Sequence, residues 1–528
     1  MKTTFYVLAG ALLTLSGALA AGRLLLSALR VRLAREEERL FAFVAGAACW
    51  SAAAWLLAWL HVARKGVFVT LASILIAAAF LAWRKRGPCE SLPPLSRRTR
   101  YVCAALFAGF LLMYVVYAAA PETSLTGNHL GRVEQMREAR GLPAPVAGIV
   151  EPRPSAIEFF YLPAFLVGRH VSAALAHLGF LAALALGLAS YGRRSGCANA
   201  GMFAGFVIFL SPLAAVDATS ARTESALACT LFFCYYALEL WRNTGQRRMV
   251  VVAGALLAFA LTIGTSSASV EPIQRAARPE YLMGRAIELT TMGATGQSFF
   301  GPVFLLAPLG LLALRKPTGR RALAGAAFAA LWLVGAAHPE AALPLAVFVA
   351  LAMGIALMDS PGMIPLLVAA HAVMSLPQVT TVYSWPDTWR LREWPLKAAL
   401  HRVSEDAYLM PRMYPAFGWA RTIDEVAGKG GLVFALAEPA RAYCSARVIV
   451  AGESGGGRAV RAMLEAAVRP SPPGDVRRAA ISVLKKRGFG WLFVPDAGPC
   501  AKDLRANPAV WGITPMREAH DAIVYRLD

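Results

Sequence analysis

Apolar residues in this chain come in long, nearly unbroken runs, separated by short polar segments rich in Arg, Gly and Pro. Twelve runs approach the ~20 residues that a helix needs to cross the hydrocarbon of a bilayer. They cover 5–29, 40–62, 66–83, 101–120, 170–191, 198–216, 224–241, 249–267, 299–314, 322–337, 341–358 and 361–380. Backbone N–H and C=O groups find no water at that depth, so each run must satisfy its own hydrogen bonds as a helix. A membrane barrel would show short segments of dyad alternation instead, and none is present. The pattern predicts a polytopic α-helical membrane protein with about 12 transmembrane helices.

Four segments break the pattern. Residues 84–100 read as a Pro/Arg-rich linker, 121–169 as a long outer loop with short amphipathic helices, 269–298 as another outer loop, and 381–528 as a polar domain. The organisation expected is an N-terminal set of helices with its linker (1–100), a membrane core with the two outer loops (101–380), and an extracytoplasmic α/β domain (381–528). Within that domain, 431–437, 447–451, 490–494 and 522–527 read as short strands, and 457–468 and 475–487 as helices, the latter capped by Gly488. Strands alternating with helices predict a partly parallel sheet. Gly452-Glu453-Ser454-Gly455-Gly456-Gly457 lacks the Lys-Ser/Thr of a phosphate loop and the spacing of a nucleophile elbow, so it reads as a strand-to-helix connection.

Charge orients the bundle. The net charge is +21, and only 16% of residues are charged. In a soluble protein such a balance would suggest nucleic acid. Here the basic residues cluster in loops between apolar runs, so no nucleic-acid partner is expected. Arg30 to Arg39, Arg84 to Arg100, Arg193-Arg194, Arg242 to Arg248 and Arg315 to Arg321 each follow an odd-numbered run. With cytoplasmic loops positive, both termini, the 121–169 loop and the 381–528 domain are expected outside. Arg64 and Lys65 run against this rule. Lys2, the apolar run from Phe5 and Ala18-Leu19-Ala20 imitate a cleavable signal, but the stronger charge after the run favours a retained helix. Of the eight cysteines, Cys49, Cys103, Cys229 and Cys234 lie inside apolar runs and read as small hydrophobes. Cys444 and Cys500, both outside, are the pair for which a disulfide is open.

Candidate chemistry gathers at the outer ends of the runs. The 121–169 loop carries Pro121-Glu122-Thr123-Ser124-Leu125-Thr126-Gly127-Asn128-His129-Leu130, then Arg132, Arg137, Arg153 and Glu158. Polar and aromatic residues there could bind an amphiphile with an anionic head, or simply cover the bundle. A second, short outer loop carries Ser211-Pro212 and then Asp217, Arg222 and Glu224. Its two acids could hold a sugar or a divalent cation, or be neutralised by the Arg between them.

This order of elements resembles the GT-C superfamily of glycosyltransferases that use lipid-phosphate sugars. The similarity is greatest to bacterial membrane proteins of the protein mannosyltransferase and aminoarabinose transferase type. Ser124 to Leu130 stands where those families carry Asp-Ala-Leu-x-Tyr-His-Leu. Ser211-Pro212 with Glu224 matches their second outer loop. Gly254 to Gly264-Thr265 matches a helix ending Gly-Thr-Lys, and Gly301-Pro302-Val303-Phe304-Leu305 the start of the next. Residues 478–494 resemble a segment of their tail domain.

The resemblance implies an inner-membrane enzyme. It would move a sugar from a polyprenyl-phosphate donor to a glycan, lipid or protein acceptor on the outer face. Departures accompany it. The family's catalytic Asp falls on Ser124, its Tyr on Asn128, and its Lys on Ser266; no Arg stands near Pro339-Glu340. A carboxylate suits proton abstraction from an acceptor hydroxyl, whereas an unactivated Ser does not. Glu122 or His129 would then serve as base. Arg132, Arg137 or Arg153 would pair with the donor phosphate, and Asp217, Arg222 and Glu224 would bind substrate, with Asp217 and Glu224 the candidate ligands for a divalent cation. A scaffold that binds lipid without transfer is the first alternative. A transporter is the second, disfavoured because the polar residues crowd at span ends rather than mid-span.

Overall fold

The computed structural model describes residues 2–84, 90–123, 129–264, 288–293, 299–332, 339–384, 394–468 and 474–528. Ser124, Gly127, Asn128, Thr265, Ser266 and most of the 269–298 loop lie outside the described residues. The helices used below are, in chain order, α1 (Lys2–Ala28), α2 (Arg35–Trp59), α3 (Lys65–Arg84), α4 (Arg97–Ala118), α5 (His129–Ala139), α6 (Ala156–Arg194), α7 (Ala198–Phe209), α8 (Pro212–Thr219), α9 (Glu224–Thr244) and α10 (Arg248–Gly264). They are followed by α11 (Pro317–Ala330), α12 (Leu343–Ala356), α13 (Met363–Met374) and α14 (Pro377–Tyr383).

The chain divides into two compact units. The first comprises Met1–Trp55, Lys65–Glu122 and Ser155–Arg402; the second comprises Leu56–Arg64, Thr123–Pro154 and Val403–Asp528. The protein is a multi-pass α-helical membrane protein with a small sheet near its C-terminus. Each of the twelve apolar runs has a helical counterpart among the described residues. Six helices are long and apolar enough to cross a bilayer, or up to eight if the bent pairs α7–α8 (62°) and α13–α14 (84°) each count as one span. The remaining runs form shorter or more polar helices. The 299–314 run becomes a 3-10 helix over Pro302–Arg315 with Pro308 inside it.

Small residues let the membrane helices approach closely, as expected where lipid is as apolar as the helix surface. A Cβ added to Gly22 would stand 1.8 Å from the Ala42 carbonyl oxygen, and one added to Gly46 would stand 1.8 Å from that of Ala18. The two positions form a reciprocal small-xxx-small contact, Ala18/Gly22 against Ala42/Gly46. The longest helix, α6, is broken at Gly168 and Arg169, where Arg169 adopts φ 63°. Only glycine fits at the break, because a Cβ on Gly168 would meet Ser172 Oγ at 2.0 Å and the Tyr6 carbonyl at 2.6 Å. The second half of α6 is the 170–191 run. The first half extends helix into what the sequence assigns to the outer loop.

The second unit carries a five-stranded sheet: β1 (Leu432–Ala435), β2 (Arg447–Val450), β3 (Trp491–Pro495), β4 (Ile513–Glu518) and β5 (Ala522–Leu527), in the order β2-β1-β3-β5-β4. The pairs β1–β2 and β1–β3 are parallel, whereas β3–β5 and β4–β5 are antiparallel. Both faces of β1, β2, β3 and β5 are buried, which is why these strands read as continuous apolar runs. Phe434, Ile449, Leu492 and Val494 pack into one core, and Val433, Val448, Val450 and Phe493 into the other. Strand β4 escapes the sequence reading because Pro515 and a mostly exposed polar face hide it. As an edge strand it tolerates the proline.

The helix at Gly455–Ala466 begins where the Gly-rich segment was read as a connection, with Ser454 Oγ accepting the Gly457 N–H at 2.9 Å. That is an N-cap, not a phosphate cradle. The disulfide left open in the sequence does not form. Cys444 and Cys500 are both free and belong to the cores on opposite faces of the sheet.

Candidate active site

One tight turn in the membrane unit gathers several buried ionisable residues; others, such as Glu37, Glu239 and His371, lie elsewhere in the bundle. Ser211-Pro212 ends α7 and opens α8, since Pro at the first turn costs no hydrogen bond. Asp217 lies near the end of α8, and after four further residues Glu224 opens α9. Asp217, Arg222 and Glu224 therefore bracket the turn.

Asp217 is fully buried. One oxygen accepts the Ser225 backbone N–H at 2.6 Å, at the N-terminal end of α9 where the helix dipole favours negative charge. The same oxygen lies 3.2 Å from His177 Nε2. His177 Nδ1 is 2.7 Å from the Tyr161 hydroxyl, which also bonds the Arg222 carbonyl. That carbonyl can only accept, so the Tyr161 hydroxyl donates to it and His177 Nδ1 donates to Tyr161. Nε2 faces a carboxylate.

Arg222 is buried and its Nη1 donates to Glu340 Oε1 at 3.0 Å. Four carboxylates act on its guanidinium: Glu340, Asp217, Glu224 and Glu122. Glu224 also accepts the Thr223 N–H at 3.1 Å. Glu122 is half-buried. The sequence-predicted Glu122, Asp217, Arg222 and Glu224 thus come together. The structure adds Tyr161, His177 and Glu340, which the sequence reading missed. His177 carried a readable signal, a titratable ring in the middle of an apolar run.

The other candidates belong to the second unit. His129 opens α5, with its Nδ1 3.3 Å from Arg132. Arg137 donates twice to Glu134, at 2.7 and 2.8 Å, and also pairs with Glu138. Arg153 is exposed and, with Arg132, lines a cavity of about 410 Å³ whose wall includes Arg441 and Glu453. Glu151 pairs with Arg447, yet burial raises its carboxyl above the usual range. Among the described residues no group of three or more His, Cys, Asp or Glu side chains is arranged to hold a metal ion. Asp217 and Glu224, the two acids proposed as ligands, are hydrogen-bonded to each other.

No family model and no curated protein matches the sequence. Among solved structures the chain is similar to ArnT from Cupriavidus metallidurans. For its crystal structure bound to undecaprenyl phosphate, the identity is 14%, the coverage is 81% of this chain and 98% of that one, and the TM-score is 0.44. For the apo crystal structure the corresponding values are 13%, 82%, 99% and 0.45.

Proposed function

We propose that the protein is a membrane glycosyltransferase of the bacterial inner membrane, acting on the outer face with both termini outside. It moves a sugar from a polyprenyl-phosphate donor to an extracytoplasmic acceptor. The observation that carries this reading is the buried cluster of Asp217, Arg222, Glu224 and Glu340 beside Glu122. Ion pairs taken out of water add little stability and are often replaceable by apolar residues. Ionisable groups at membrane depth therefore point to function.

In this reading Glu122 takes the proton from the acceptor hydroxyl. The hydroxyl oxygen attacks the anomeric carbon, the bond from that carbon to the phosphate oxygen breaks, and the lipid phosphate leaves with the electron pair. Glu224 orients the acceptor hydroxyls. Asp217, held by His177 and the α9 N-terminus, fixes the turn that carries Arg222.

The test is transfer from a synthetic undecaprenyl-phosphate sugar by the full chain in lipid vesicles. Glu122→Gln should lower kcat about 10²–10⁴-fold, the range typical of a lost general base, with donor retention intact. Lipid retention without transfer in the unaltered protein would make the chain a binding scaffold instead. Loss of transfer on chelation would bring back a divalent cation at Asp217 and Glu224.

A further inference from the structure

A second cavity, of about 490 Å³, opens between α2, α4, α6 and α7. It lies at the other end of the bundle from the acid cluster: Arg193 on its rim is 16 residues beyond His177 along α6, about 24 Å of helix. Its walls are apolar, made by Cys103, Phe107, Leu186, Met202 and Phe206. Its mouth is charged, made by Glu36, Arg39 and Arg193. Arg193 is held in place, its Nε donating to the Pro93 carbonyl at 2.9 Å and Nη2 to the Leu92 carbonyl at 3.1 Å, with Glu36 3.5 Å away. Arg39 is exposed. The mouth thus carries two guanidiniums against one carboxylate; at the same helix ends lie Arg35, Arg97, Arg98 and Arg194 against Glu37, which pairs with Arg194, and Glu38.

We infer that this cavity is a binding site for an anionic phospholipid, with the phosphate at Arg39 and Arg193 and one acyl chain along Phe107 and Phe206. The shape and charge are those of an amphiphile: a greasy cleft between helices with a net positive rim, the arrangement by which membrane proteins select acidic headgroups. Guanidinium matches phosphate geometry, and a zwitterionic headgroup would gain less from the rim. Its distance from Asp217 and Glu224 separates this site from the transfer chemistry, so the inference stands without the glycosyltransferase reading.

Native mass spectrometry of the purified full chain tests it, with phosphatidylglycerol, phosphatidylethanolamine and undecaprenyl phosphate supplied in equal amounts. Phosphatidylglycerol should be retained over phosphatidylethanolamine. Arg39→Gln, at an exposed position, should lower that retention about fivefold, as expected for one basic residue near a headgroup. Ala104→Trp fills the cavity from an exposed position and leaves the rim charges intact; it should abolish retention. Equal retention of the two phospholipids would overturn the inference, as would phosphatidylglycerol binding that Ala104→Trp leaves unchanged. Displacement of phosphatidylglycerol by undecaprenyl phosphate from the Ala104→Trp-sensitive site would overturn it too, by assigning the cavity to the carrier lipid.

Discussion

The membrane unit and the sheet-bearing unit both bury large apolar side chains, but they differ in how much charge they bury with them. In the first, large aromatics such as Trp50, Phe180 and Tyr191 fill the core beside close backbone approaches, and the buried side chains include a knot of Asp217, His177, Arg222 and Glu340. In the second, aromatic and branched side chains fill two cores on either side of a sheet. Several of its ion pairs, such as Arg461–Glu465 and Arg517–Glu425, sit at the surface, where they contribute little. The lesson is that the membrane unit buries more charge than packing needs, because the sheet-bearing unit fills its two cores while burying few ionisable side chains, Glu134 and Arg441 among them.

Four substitutions would break or sharpen that contrast. The largest effect on stability should come from Glu340→Ala, which leaves Arg222 buried without its 3.0 Å partner. Breaking a buried pair from one side costs about 3–5 kcal/mol, so thermal unfolding of the membrane unit should drop by many degrees. Little change in its melting would mean that Asp217, Glu224 and Glu122 compensate the guanidinium once Glu340 is gone. Phe434→Ala should cost a similar ~3–5 kcal/mol, but in the sheet-bearing unit, read by proteolysis of residues 403–528 while the membrane helices stay protected.

A smaller loss, about 1–3 kcal/mol from overpacking, is expected for Gly46→Ala, because the helices must part to admit the methyl. Gly109→Ala, where nothing lies within 4 Å of the added Cβ, is the matched control. Removal of the Ser454 cap by Ser454→Ala should cost about 1 kcal/mol. Least of all, reducing agent should leave the melting of the sheet-bearing unit unchanged, since Cys444 and Cys500 are free.

The same thiols set an alkaline limit. Burial pushes the Cys500 thiol up to about 11, and burial with the neighbouring Asp424 raises Cys444 as well. An unfolded chain releases these protons near pH 9 while the folded one keeps them. Stability is therefore unaffected below that pH and falls as pH rises above it. A melting temperature flat from pH 9 to pH 10.5 would show that solvent reaches both sulfurs.

How much was legible in the sequence follows from the same contrast. Apolar runs announce helices because the bilayer leaves the backbone no alternative, so segments such as 5–29 and 66–83 find α1 and α3 almost residue for residue. Strands β1, β2, β3 and β5 announced themselves because burial on both faces strips them of polar residues. The β4 edge did not, since half-exposed strands with a proline look like loop. The turn at Asp217, Arg222 and Glu224 was visible as polar residues between runs. Its partners were not: Tyr161, His177 and Glu340 reach it from distant positions, and only the folded helices bring them there. Likewise no local pattern tells that His129 and Glu122, seven residues apart, belong to different units.

The break at Gly168 and Arg169 has a geometrical corollary. Unbroken, the 39 residues of α6 would form a rod about 58 Å long, nearly twice the ~30 Å of hydrocarbon they have to traverse. The elbow lets the first arm depart from the direction of the second. Tyr161 rides on the first arm and His177 on the second, so their 2.7 Å hydrogen bond ties the two arms together across the break.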